Sequence, residues 1–206
     1  GSGHIGGAMS SMDFLTTLYY RFLNIDVNEP QKEDRDRFIL SKGHVAVGYA
    51  PLICDYGFMD IEGLKNFNLT GSKFGMHLDC NKITGVDASS GSLGHGMSLA
   101  AGMALAGRVK GQQYMNFVLT GDGELNEGSN WEAAMTIAQF KLTNTVVAVD
   151  ANKCMIDGRV DDEMKVEPID KKFESFGFKV IRVDGHNIKE ISDAIQVTID
   201  NYYNGG

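Results

Sequence analysis

The sequence predicts an α/β fold, a mostly parallel sheet flanked by helices, from three observations. Short apolar runs rich in Val, Ile and Phe alternate with longer segments whose apolar residues recur at helical spacing. Two of the apolar runs end in oxygen-bearing loops, Gly121-Asp122-Gly123 after residues 114–119 and Asn152 after Thr145–Asp150, thirty positions beyond Asp122. A chain of 206 residues, 43% hydrophobic and 22% charged, is long enough to bury one substantial core.

Taken in order, residues 8–23 carry apolar side chains at helical spacing, and Arg37–Leu40 reads as a strand. The charged run 29–37 before that strand reads as a solvated loop. Residues 45–56 form a helix despite Pro51, and the small residues of 98–109 make another. Residues 114–119 are short, apolar and bounded by Gly111 and Gly121, which fits a buried strand. Ser129 or Asn130 caps a helix over 131–140, and Thr145–Asp150 is a second buried strand. Residues 179–183 read as a further strand, followed by a helix around 188–199. There is no internal repeat and no interdomain linker, the only prolines being Pro30, Pro51 and Pro168.

The two oxygen-bearing loops point to chemistry. Open parallel sheets bind ligands outside the carboxyl ends of their strands, and strands joined by a helical crossover are often neighbours. Asp122 and Asn152 are therefore expected to converge on one ion. Magnesium takes a few protein oxygens and completes an octahedron with phosphate and water, which suits an Asp, an Asn amide oxygen and a nearby carbonyl. Glycine beside Asp122 lets backbone approach phosphate, with the Gly123 amide placed to donate to it. The triplet alone fits an ordinary turn equally well; its placement after one strand, with Asn152 after the next, gives it meaning.

Composition narrows the partners. A net charge of −8 and a pI near 5.1 argue against nucleic acid or an anionic membrane as the main partner. Three cysteines, Cys54, Cys80 and Cys154, without a C-x-x-C pair, give neither a disulfide framework nor a zinc site, and a reducing cytoplasm is the expectation. No stretch of eighteen apolar residues and no signal peptide is read. The opening Gly1-Ser2-Gly3-His4-Ile5-Gly6 matches G-x-G-x-x-G, but no strand precedes it, so a dinucleotide site is rejected. A P-loop motif is missing too.

Further motifs lie on either side of the candidate clamp: Ser2-Gly3-His4-Ile5-Gly6-Gly7, Leu40-Ser41-Lys42-Gly43-His44, Gly75-Met76-His77 and Ser90-Gly91-Ser92-Leu93-Gly94-His95-Gly96. The clamp itself extends through Glu124-Leu125-Asn126-Glu127-Gly128 and, after Asn152, to Ile156-Asp157-Gly158. In this order and spacing, over nearly the whole chain, the sequence resembles the thiamine-diphosphate enzymes, specifically the amino-terminal, diphosphate-binding half of transketolase. The resemblance implies the thiamine-diphosphate-binding fold, with residues 1–206 as one diphosphate-binding domain, open to trimming at both termini, and no pyrimidine-binding domain. It implies thiamine diphosphate and Mg2+ or another divalent cation as cofactors, with Asp122, Asn152 and the Cys154 carbonyl on the metal. His44, Gly91, Ser92, Leu93, Asp122, Gly123 and Asn152 contact the cofactor. His4, His44 and His77 are the catalytic histidines that line the channel, contact donor hydroxyls and assist proton transfer, as imidazoles near neutrality do.

The implied activity is transfer of a two-carbon ketol unit from a ketose phosphate to an aldose phosphate. A separate carboxyl-terminal subunit supplies the pyrimidine-binding domain and its activating glutamate, in an α2β2 assembly. A naturally split subunit is favoured over a fragment of a longer chain. Two alternatives stay open: a deoxyxylulose-phosphate synthase-like condensation of pyruvate with an aldehyde, and a noncatalytic cofactor-binding or regulatory subunit. His95 stands where many transketolases have glutamine, and proline often replaces Ser92 in the family. Glu127 and Glu132 match glutamates at subunit contacts, and His186 reads as a turn residue.

Overall fold

Alternation along three short runs decides the architecture. In the computed structural model, which describes residues 2–205, Arg37–Leu40 (β1), Asn116–Gly121 (β2) and Thr145–Asp150 (β3) form a parallel sheet in the order β1-β2-β3. Phe38 lies beside Phe117, and Phe117 beside Val146. Successive side chains of a strand point to opposite faces. Phe38, Leu40, Phe117 and Leu119 accordingly join one buried cluster, while Ile39 and Val118 join another. A one-residue slip in register would exchange the two sets, so both faces hold the register. Gly1, the first residue of the rejected dinucleotide match, lies outside the described residues.

Helices cover both faces. Ile5–Arg21 (α1) and Ala46–Tyr56 (α2) bring Leu15, Leu18, Tyr49 and Ile53 to the first cluster. Pro51 is on the exposed side of α2, and the helix runs on to Gly57, whose φ of 106° suits only glycine as a left-handed cap. Gly96–Lys110 (α3) and Gly128–Gln139 (α4) bring Met97, Ala100, Ala104, Ala134 and Ile137 to the second cluster. Val160–Glu163 (α5) and Ile169–Ser175 (α6) are short, and Ile188–Tyr203 (α7) packs beside α1. No helix of the described residues is long and apolar enough to cross a membrane.

Four local expectations need correction. The second strand begins at Asn116, not at 114, because the Tyr114 ring lies under the Arg37 guanidinium, 3.5 Å from the ring centroid, and the Met115 amide donates to Asp36 at 2.8 Å. Neither Ser129 nor Asn130 caps α4, whose N-cap is Glu127. Ser129 Oγ instead donates to the Gly94 carbonyl at 2.8 Å, and Asn130 Nδ2 to the Glu124 carbonyl at 2.7 Å. β3 is half-buried rather than buried. Residues 179–183 form no ladder: Arg182 pairs with Glu167 at 3.3 Å and Asp170 at 3.5 Å, beside α6. A crevice of about 500 Å³, lined by Val147, Val149, Phe173, Val180 and Ile195, lies between this segment and β3.

Candidate functional site

All three strands deliver their following loops to one edge of the sheet. Beyond β1 come Ser41, Lys42 and a 3-10 turn, Gly43–Val45, that carries His44; beyond β2 comes Asp122; beyond β3 comes Asn152. The loops after β2 and β3 touch. Asp122, 3% exposed, accepts from the Lys153 amide through Oδ2 at 2.7 Å and from the Gly123 amide through Oδ1 at 2.9 Å. The Gly123 amide, expected to face a phosphate, donates here to the neighbouring carboxylate. Burial, then the nearby Asp150 charge, pushes the Asp122 carboxyl up, against the pull of the Lys153 and Gly123 amides.

Asn152 is fixed at both ends of its amide. Its Nδ2 donates to Asp150 at 3.0 Å and its Oδ1 accepts from the Cys154 amide at 2.9 Å. Lys153 between them has φ 65°, the left-handed turn that brings its amide back toward Asp122. Cys154 is exposed and bridges to Arg159. Asp150 anchors this corner: Lys42, 2% exposed in its side chain, pairs with it, and Ser10 Oγ donates to it. Burial raises the Asp150 carboxyl, but the Lys42 ammonium and the Ser10 and Asn152 hydrogen bonds outweigh that and hold it below its usual value. Lys42 also donates to the Gly7 carbonyl at 3.3 Å, tying the start of α1 to the strand ends.

That tie places the histidines. His4, the N-cap of α1, meets His44 edge to face with ring centroids 5.0 Å apart. A Cβ on Gly91 would touch His77 Cδ2 at 3.4 Å, so the loop of Gly91, Ser92 and Leu93 runs beside His77. Burial first, and then the positive fields of His4, Lys42 and His77, pull His44 down to about 4, which leaves it neutral at pH 7. His4, His77 and Ser92 are exposed, and Leu93 is half-buried. His186, whose Nδ1 bonds Asp13 at 2.7 Å, lines the crevice that also reaches Asp150 and Asn152, and His95 is exposed at the N-cap of α3. Glu127 and Glu132 are exposed on α4 and its cap.

Sequence reasoning passed over three residues that organise this site: Lys42, Asp150 and Glu124. Each lay within or beside a motif, but its importance depends on partners 30 to 108 positions away. A lysine and a carboxylate at strand ends, both destined for burial, were the available signal. Glu124 is 3% exposed and accepts from Ser41 Oγ, the Gly94 amide at 2.9 Å and the Gly121 amide at 3.1 Å.

Residues 1–201 match the family profile described as "Transketolase, thiamine diphosphate binding domain". The chain is 40% identical over 194 residues to an apulose-4-phosphate transketolase subunit of Actinobacillus succinogenes, covering 94% of this chain and 70% of that one. It is 38% identical over 196 residues to the 6-deoxy-6-sulfo-D-fructose transketolase subunit SqwG of a Clostridium species, covering 95% and 71%. The crystal structure of transketolase from Campylobacter jejuni superposes with a TM-score of 0.87 at 31% identity, covering 96% of this chain. The present chain spans 32% of that transketolase.

Proposed function

Because this chain belongs to the transketolase thiamine-diphosphate-binding domain family, we propose that it is the amino-terminal subunit of a split transketolase, with residues 1–206 forming one diphosphate-binding domain. The observation that carries the reading is the contact between the loops after β2 and β3, where Asp122 accepts from Lys153 one residue past Asn152. Two family ligands from separate loops are thereby neighbours at the carboxyl edge of the sheet.

The residues present fit a small hard cation. Asp122 is a buried carboxylate without a cationic partner among the described residues, a negative charge that a bound cation would offset. Among the described residues no three His, Cys, Asp or Glu side chains gather as a metal cluster. The proposed set is therefore one carboxylate, the Asn152 amide oxygen and the Cys154 carbonyl, with remaining positions for diphosphate oxygens and water, as magnesium prefers. The Cys154 thiol takes no part. Gly91, Ser92, Leu93, Gly123 and His44 complete the cofactor contacts, Gly123 through close backbone approach.

Bound thiamine diphosphate supplies an electron sink for breaking and making a carbon-carbon bond beside a carbonyl. The chain's own residues handle the substrate's protons. His4, His44 and His77 hydrogen-bond the donor hydroxyls and together assist proton transfer, with His44 held neutral at pH 7 as a hydrogen-bonding group. The reaction is transfer of a two-carbon ketol unit from a ketose phosphate to an aldose phosphate. Two relatives are named for apulose 4-phosphate and for a sulfonated fructose, which favours sugars bearing a terminal anion. The partner is a carboxyl-terminal subunit carrying the pyrimidine-binding domain and its activating glutamate, in an α2β2 assembly. The three free cysteines agree with a cytoplasmic setting.

Reconstitution tests this. The full-length protein mixed with its complementary subunit, thiamine diphosphate and Mg2+ should convert ketose phosphate and aldose phosphate to ketol-transfer products. Cofactor binding without any such product across a broad panel of phosphorylated and sulfonated sugars would defeat the transferase assignment. Asp122→Ala should abolish the magnesium dependence of cofactor affinity in calorimetry; unchanged dependence would defeat the ligand assignment.

A further inference from the structure

Glu124 is a carboxylate folded into the interior at the point where three loops meet. One oxygen, Oε1, accepts from Ser41 Oγ and from the Gly94 amide at 2.9 Å; the other, Oε2, accepts from the Gly121 amide at 3.1 Å. Ser41 Oγ in turn accepts from the Gly96 amide at 3.1 Å, and the Glu124 carbonyl accepts from Asn130 Nδ2. Among the described residues no cation pairs with this carboxylate, so its charge is met by these donors. The three loops carry the groups assigned above to the cofactor. Ser41 opens the loop of His44, Gly94 follows Gly91, Ser92 and Leu93, and Gly121 precedes Asp122.

The loops have no slack of their own. Gly94 has φ 84°, and a Cβ there would meet Glu127 and Ser129 at 2.6 Å; a Cβ on Gly96 would collide with Ser41. Backbone packed this closely, with a single acceptor group at its centre, has one relative arrangement. We propose that Glu124 is a positioning residue that holds the His44 loop, the 91–94 loop and the Asp122 loop in the mutual register that binds the magnesium and thiamine diphosphate. The inference rests on the cofactor reading above.

Glu124→Gln keeps the shape and leaves one acceptor oxygen where three donors need two. The least costly rotamer turns the new amide toward Gly121, leaving that buried N–H facing another donor. In the full-length protein assembled with its complementary subunit, calorimetry with thiamine diphosphate and Mg2+ should show a Kd raised about tenfold or more. Amide exchange at Gly94 and Gly121 in the cofactor-free protein should quicken alongside. A control separates positioning from general weakening: Ile195→Ala in α7, which lowers Tm without touching these loops, should leave the Kd unchanged. Ser41→Ala, which removes the hydroxyl linking Glu124 to the Gly96 amide, should give a smaller loss in the same direction. A Kd within about twofold of wild type in Glu124→Gln, or an equal rise in Ile195→Ala, overturns the proposal. If the wild-type assembly binds no cofactor, the functional reading falls and takes the inference with it; normal wild-type binding with an unaffected variant removes the inference alone.

Discussion

His44 and His186 are shifted in opposite directions, and each contributes to one limb of the stability profile. His44 is pulled down to about 4 from an ordinary 6.5, so the folded state takes up its proton later than the unfolded chain does. Its contribution is present above about 6.5 and lost as pH falls from there toward about 4. His186 is raised by its hydrogen bond to Asp13, so its contribution is full below the ordinary histidine value and lost as pH rises through the folded one. Urea midpoints measured across this range should show His44→Asn flattening the acid limb. His186→Gln, on an exposed turn, should flatten only a shallow neutral one. Part of the geometry at this scale was legible: the motifs of Asp122 and Asn152, and those of His4 and His44, meet as their placement after strands and before a helix leads one to expect. Glu124 was not, because a glutamate after Gly-Asp-Gly looks solvated until the fold brings Ser41 and Gly94 to it.

Elements were legible wherever their own pattern settled their partner. Arg37–Leu40 and Thr145–Asp150 emerge with the bounds read from sequence, since successive residues pack into clusters on opposite faces and that leaves one register. Residues 179–183 have the same strand-like composition, yet composition cannot supply a neighbour, and here Arg182 binds α6 across a crevice from β3. In a parallel ladder alternate residues direct their amides to opposite neighbours. Amide exchange should therefore alternate along β3, slow toward β2 and fast toward the crevice, while β2 stays uniformly slow. Uniform protection in β3 would show that a strand occupies the crevice. The Lys42–Asp150 pair is the other element-level tie, holding the start of α1 to the ends of β1 and β3. Lys42→Met strands a buried carboxylate and should cost about 3 kcal/mol of unfolding free energy. Denaturant titration of the single variants and of the Lys42→Met/Asp150→Leu double variant measures the coupling; additive losses would show that the pair is idle.

At the scale of the whole molecule, loading should be read as stability. A ligand at a hundred times its Kd adds about 2.7 kcal/mol, enough to raise Tm by about 5–10 °C in a domain of this size. Magnesium and thiamine diphosphate together should give that rise in the assembled protein, and a chelator should reverse it. Neither alone should do so, because the ion is held by few protein oxygens and needs the diphosphate to complete its shell. With a net charge of −8 and Lys42 already paired with Asp150, the binding corner depends on its cation for much of its attraction toward phosphate. Acid content was visible in the sequence, whereas which charges meet one another depends on the residues the sheet gathers at its carboxyl edge.

The exposed Cys154, two positions past Asn152, turns this geometry into an optical reporter. Cys54 is buried and Cys80 half-covered, so a Cys80→Ser protein offers one readily labelled sulfur at the rim of the ligand corner. A maleimide fluorophore attached there would sense ion and cofactor arrival through its emission, while the imidazoles of His4, His44 and His77 remain chemically untouched.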